Sequence, residues 1–173
     1  MTLYIANPTS RKKIRDLTNV LRRIAGLYDE PYFPVVDFLE LAMPKLFTAF
    51  EYEIVSISEM PNEYGVTYPE KNKICIREDV YEGAIEGVER DRFTIAHEIG
   101  HFILHKPGNI VLARSESIQE IPAYRQPEWQ ANTFAGELLA PPQIIRGLVL
   151  KEISSKCGVS LQVSGIQLKN MNK

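Results

Sequence analysis

Arg92-Phe-Thr-Ile-Ala-His-Glu-Ile-Gly-His-Phe-Ile-Leu-His105 contains no proline and is apolar on nearly every side, the pattern of a helix buried in a core. Into that helix the chain places His97, Glu98 and His101. Polar groups there are costly unless a metal or a hydrogen bond satisfies them. Residues four apart lie about 40° from eclipsed on an α-helix, so His97 and His101 share a face and can grip one metal ion. Glu98 projects to a neighbouring position, where it can polarise a water on that metal without ligating it. The chain has three histidines, and all of them fall between positions 97 and 105. A core helix carrying His and Glu by accident would match the same short pattern, so the reading needs a second motif.

The remaining composition sets the frame. At 173 residues the chain is expected to form one domain with a substantial core and no need of disulfides. With 45% hydrophobic and 24% charged residues it has the composition of a soluble globular protein. A net charge of −2 disfavours a dedicated nucleic-acid binder, so no direct nucleic-acid contact is expected. The basic residues Arg11, Lys12, Lys13, Arg15, Arg22 and Arg23 read as the solvated face of an N-terminal helix. Cys75 and Cys157 form no CxxC pair, and Cys75, in a strand-like run, reads as a small buried hydrophobe. No leader pattern and no membrane-length apolar run is visible, so a cytoplasmic protein without membrane contact is expected.

Helical and strand periodicities organise the rest. Ser10 and Gly26 bracket a helix over 11–25, with Ile14, Leu17, Leu21 and Ile24 on one stripe. Pro34 opens a second helix that Pro44 bends or ends. Residues 53–57, 65–68 and 73–77 read as strands, with Pro69 to Asn72 as a hairpin turn. Residues 80–88 suit a short helix, followed by the motif helix over 89–105. Lys106-Pro107-Gly108-Asn109 breaks that helix, and 110–126 reads as a connection containing the apolar Ile110 to Ala113. Helices are expected over 127–140, 143–153 and 159–170. The fold class is α+β, a small antiparallel sheet with packed helices. The single domain 1–173 divides into N-terminal helices (10–50), a catalytic core (51–145) and a C-terminal helical segment (146–173).

A catalytic zinc takes three protein ligands and leaves one position open. A third histidine at metzincin spacing would stand at 107, with glycine at 104; the chain has Leu104 and Pro107, so that pattern fails. His105 is close in sequence but lies about 80° round the helix from His97. That angle makes it a poorer ligand than a support for one, or a cap for the helix end. A carboxylate from the 127–140 helix is the other option. Glu128 fits, and Asn132, one turn on, could hold the far nitrogen of a ligating histidine; a carboxylate that merely favours a helix start would look the same. Glu137 has no comparable partner and reads as solvent-facing. Ala131, Ala135, Gly136 and Gly100 would let the two helices approach closely.

The two segments together resemble the ImmA/IrrE metallopeptidases. The resemblance is carried by Arg90 to Ala96, by His97-Glu-Ile-Gly-His-Phe-Ile-Leu-His105, and by Glu128, Ala131, Asn132, Phe134, Ala135, Leu138, Leu139 and Pro141. It extends to the strand ending in Ile74-Cys-Ile-Arg77 and covers roughly residues 10–145. Ala140 stands where many members carry Met. The resemblance implies a minimal gluzincin-like zinc peptidase that acts on helix-turn-helix transcriptional repressors. His97, His101 and Glu128 match that family's zinc ligands, and Glu98 its catalytic base. Larger members carry a further DNA-binding or sensor domain, for which this chain is expected to have no room.

The expected function is therefore zinc-dependent hydrolysis of a peptide bond in a protein substrate, with a helix-turn-helix repressor as the partner. Tyr124, Arg114 and His105 are candidates to stabilise the oxyanion. Lys73 to Arg77 is expected to be an exposed edge strand that pairs with extended substrate. Two other functions fit the motifs: a zinc-stabilised module that binds a repressor without cutting it, and a hydrolase of a small amide. Glu98 favours an enzyme, because a purely structural site is usually closed by four protein ligands.

Overall fold

The computed structural model of the chain describes residues 2–108, 110–114 and 121–173. The chain opens with strand β1 (Thr2–Ala6), then helix α1 (Arg11–Ile24), which starts where the Ser10 side chain accepts from the Lys13 N–H. It stops before Gly26, whose φ of +70° suits glycine. Beyond Pro34 come α2 (Val35–Asp37), a π-helical turn (Phe38–Ala42) and α3 (Met43–Leu46). Pro44 thus neither ends nor breaks the helix. It has no N–H to offer the Glu40 carbonyl, and the helix widens one turn earlier, where the Met43 N–H bonds the Phe38 carbonyl.

Strands β2 (Glu51–Val55), β3 (Gly65–Tyr68) and β4 (Lys73–Arg77) form one sheet in the order β2-β4-β3. β3 and β4 are an antiparallel hairpin turning at Asn72, whose φ is +51°. The sheet is not antiparallel throughout: β2 pairs with β4 in parallel. The 56–64 loop carries the chain across the end of the sheet, so β4 comes back up between β2 and β3. β4 is therefore the central strand, with Ile74 and Ile76 fully buried. The expectation that Lys73 to Arg77 forms an exposed edge fails for that reason; the edge lying on the motif helix is β3.

Helix α4 (Glu78–Ile85) leads to the motif helix α5 (Glu89–Leu104). The run at 110 is a strand, β5 (Ile110–Arg114), not a plain connection. It pairs antiparallel with β1, Leu3 opposite Ala113, a partnership between distant segments that no local pattern marks. Helix α6 (Pro127–Leu139) has Pro127 at its first turn and ends before Pro141. The helix expected over 143–153 is two: α7 (Pro142–Ile145) and α8 (Leu150–Cys157), parted by Gly147 at φ +81°. Helix α9 (Leu161–Asn170) follows. No helix among the described residues is long and apolar enough to cross a membrane.

The core lies where α5 meets α6, with Ile95, Ile99, Phe134, Ala135 and Leu138 all fully buried. Gly100 is the contact point: a Cβ there would meet Phe134 at 3.0–3.1 Å. Gly136 serves a different neighbour, since its Cβ would reach Gln167 of α9 at 2.6 Å. Helix α6 is enclosed by α5, α1 and α9, and this corrects the reading of Glu137. Its side chain is fully buried and binds Arg11 (2.8 Å) and Arg15 (2.9 Å). The basic face of α1 is likewise only partly solvated: Arg22 is fully buried and donates to the Leu138 carbonyl at 2.7 Å. Burial lowers its pKa to about 10. Cys75 and Cys157 are buried free thiols.

Candidate metal centre

His97 and His101 project from α5 toward Glu128 in the first turn of α6. The two Nε2 atoms stand 2.9 Å apart. Glu128 Oε2 lies 3.3 Å from His97 Nε2, and Oε1 lies 3.2 Å from His101 Nε2. A tetrahedral zinc with bonds of roughly 2.0–2.1 Å needs ligand atoms about 3.3 Å apart. Two nitrogens and a carboxylate therefore already converge at close to the right spacing. Among the described residues these three form the one His/Cys/Asp/Glu group close enough to hold an ion. His105 does not join them.

Hydrogen bonds decide which imidazole nitrogen can face a metal. His97 Nδ1 lies 2.8 Å from Asn132 Oδ1; an amide oxygen only accepts, so Nδ1 carries the proton and Nε2 keeps its lone pair. His101 is set by a longer relay. Gln130 donates through its amide nitrogen to the carbonyls of Asn7 and Tyr124, both at 2.8 Å. Its oxygen consequently faces His105 Nε2 at 3.0 Å and accepts from it. His105, buried and bonded there, presents a bare Nδ1 to His101 Nδ1 at 2.9 Å. The proton then sits on His101 Nδ1, again freeing Nε2. Burial first, and His101 second, lower the His105 pKa to about 4, so its imidazole stays neutral at physiological pH.

The charges around the ligand atoms favour a cation between them, which without a metal is a proton. Burial works against a charge on His97, but bonding to Glu128 and the nearby Glu98 outweigh it and raise its pKa. Glu128, at the exposed lip of the cleft, is held well below the usual carboxylate range by its bonds to His101 and His97. A carboxylate in a helix's first turn is further favoured by the helix dipole. Glu98 is buried one residue along from His97, and Thr67 of β3 holds its Oε2 at 2.6 Å.

These groups line a cleft of about 700 Å³ whose other walls include Tyr64, Gly65, Thr67, Thr94 and Ile121. Tyr124 does not reach it: its side chain is half-exposed, and only its carbonyl serves the relay through Gln130. The side chain of Arg114 lies outside the described residues. Gln130, Thr67 and Gly65 were not legible in the sequence, because the contacts that give them a role are with other elements and leave no spacing signal. The arrangement can hold a divalent zinc-like cation on two neutral imidazoles and one carboxylate, with a second, buried carboxylate beside it.

The profile of the Peptidase_M78 family, the IrrE N-terminal-like domain, matches residues 47–169. No curated protein matches the chain. Among solved structures, a Mycobacterium tuberculosis transcriptional regulator superposes with a TM-score of 0.58 at 13% identity, over 94% of this chain and 48% of that one. Such a likeness is one of fold, and the present chain spans about half the length of that protein.

Proposed function

Because the chain belongs to the Peptidase_M78 family, we propose that it is a zinc-dependent endopeptidase that cuts a protein substrate, a helix-turn-helix transcriptional repressor. The observation that carries this reading is the convergence of His97 Nε2, His101 Nε2 and the Glu128 carboxylate within 3.3 Å of one another, beside the buried Glu98. His97, His101 and Glu128 are assigned as metal ligands and Glu98 as the catalytic base; Asn132 and His105 orient the two imidazoles. Zinc bound there supplies Lewis acidity for attack on an amide near neutral pH.

The chain's own groups do the rest. Glu98 takes the proton of the attacking water and hands it to the leaving amine. The cleft opens along β3, the strand that replaces β4 as the docking edge. The Arg77 N–H bonds the Tyr64 carbonyl, so Tyr64 and Arg77 form a hydrogen-bonded pair. By alternation, Val66 and Tyr68 also turn their backbone groups toward β4, whereas Gly65 and Thr67 turn theirs to the free edge. An extended peptide can bond to those two residues and lie across the histidines. Regulatory context is supported by the fold shared with a transcriptional regulator.

Co-expression with a helix-turn-helix repressor tests the reading. Wild type should yield a fragment that disappears with Glu98→Gln while zinc stays bound. Equal processing by both would sink the catalytic assignment. An intact repressor that co-purifies with both forms would favour a binding module.

A further inference from the structure

Thr67 and Gly65 sit two apart on β3 and face α5 together. The Thr67 hydroxyl lies 2.6 Å from Glu98 Oε2 and 3.0 Å from the Glu98 carbonyl. The shorter distance is that of a charge-assisted bond to a carboxylate. Gly65 fits against the same side chain: a Cβ there would come within 2.8 Å of Glu98 Cγ and 3.3 Å of Cδ. Glutamate has three side-chain torsions to fix, and a base 1 Å out of place loses much of its effect. Glu98 Oε1 has no hydrogen-bond partner among the described residues. One carboxylate oxygen is therefore tethered and the other is left for the reaction.

We propose that Thr67 is the positioning residue of Glu98, with Gly65 clearing the space the carboxylate needs. This rests on the reading of Glu98 as the base. It also ties the base to substrate docking, because Thr67 holds Glu98 with its hydroxyl while its backbone faces the free edge of β3. Among the described residues neither is hydrogen-bonded to His97, His101 or Glu128, so metal affinity should not depend on them.

The test uses the full zinc-loaded chain, with acetohydroxamic acid as the probe. This small chelator donates a hydrogen bond to a carboxylate placed beside the metal it binds. Zinc affinity, from competition with a chelating dye, should agree within about twofold for wild type, Thr67→Val, Thr67→Ser and Glu98→Gln. Affinity for acetohydroxamic acid should fall about tenfold in Thr67→Val and in Glu98→Gln, and recover in Thr67→Ser, which keeps the hydroxyl. On a protein substrate, Thr67→Val should lower kcat tenfold or more with KM unchanged. Thr67→Ala replaces it if the valine variant does not fold. A Thr67→Val chain that binds the probe as wild type does, while Glu98→Gln does not, overturns the positioning role alone. Full probe affinity in Glu98→Gln overturns the reading of Glu98, and the role of Thr67 with it.

Discussion

Each ligand nitrogen depends on a bond made at the opposite side of its ring. Asn132 serves His97 at 2.8 Å, and neutral His105, held by Gln130, serves His101 at 2.9 Å. Replacing His105 by Phe removes the acceptor for the His101 Nδ1 proton and lets the ring adopt the tautomer that points a proton at the metal. Zinc affinity should drop about 10- to 100-fold, with Gln130→Leu weaker in the same direction; unchanged affinity in a dye-competition titration would refute the relay. Glu128→Ala should lose more, since a ligand goes rather than its support. The buried Glu137 has a different part. Glu137→Leu leaves the Arg11 and Arg15 guanidinium groups without their carboxylate, so unfolding free energy in a guanidinium titration should fall by about 3–5 kcal/mol with zinc affinity intact.

At the level of helices and strands, two elements make the site and a third makes its edge. α5 and α6 meet at Gly100 against Phe134. Gly100→Ala should cost roughly 1–3 kcal/mol through overpacking, although alanine by itself favours a helix by about 1 kcal/mol; a stabilised variant in thermal melts would refute the tight contact. The position of β4 changes another expectation. Ile76 is fully buried in the central strand, so Ile76→Pro should unfold the chain rather than impair docking alone, and circular dichroism distinguishes the two. The helical periods of α1, α5 and α6, the hairpin at Asn72 and the Glu128–Asn132 spacing were all legible, because each is a local pattern repeated over one or two turns. Strand β5, the central place of β4 and the burial of Glu137 were not. Each depends on a partner far along the chain.

For the molecule as a whole, buried guanidinium groups tie the C-terminal helices to the core. Arg92 donates to the carbonyls of Phe33 (2.9 Å), Cys157 (3.2 Å) and Gly158 (3.1 Å) and lies over the Tyr32 ring. One residue of α5 thereby pins the segment before α2 and the end of α8 to the motif helix. The titrating groups give the fold a direction of pH sensitivity. His105 titrates at about 4 in the folded chain and near 6.5 when unfolded. Above 6.5 it contributes nothing. As pH falls toward 4 the unfolded state binds the extra proton, and the metal-free protein should lose on the order of 3 kcal/mol. Glu128, whose pKa is lowered, stabilises the fold above its ordinary value and loses that effect as pH falls further. His97, whose pKa is raised, acts in reverse: its contribution is present below about 6.5 and fades as pH rises through its folded value. Urea midpoints of the metal-free chain should therefore drop between pH 6.5 and 4, and His105→Gln should flatten that drop.

Local patterns along the chain were enough to put His97, Glu98 and His101 on a buried helix, Glu128 and Asn132 on a second, and the fold in the α+β class. These follow from side-chain chemistry repeated at helical or strand spacing, which acts over a few residues. Which strand is the edge, which residue grips Glu98, and why Gln130 and His105 stand where they do become visible in the folded chain. Those choices rest on hydrogen bonds and steric contacts between elements distant in the chain, and such contacts exist only once the core has closed.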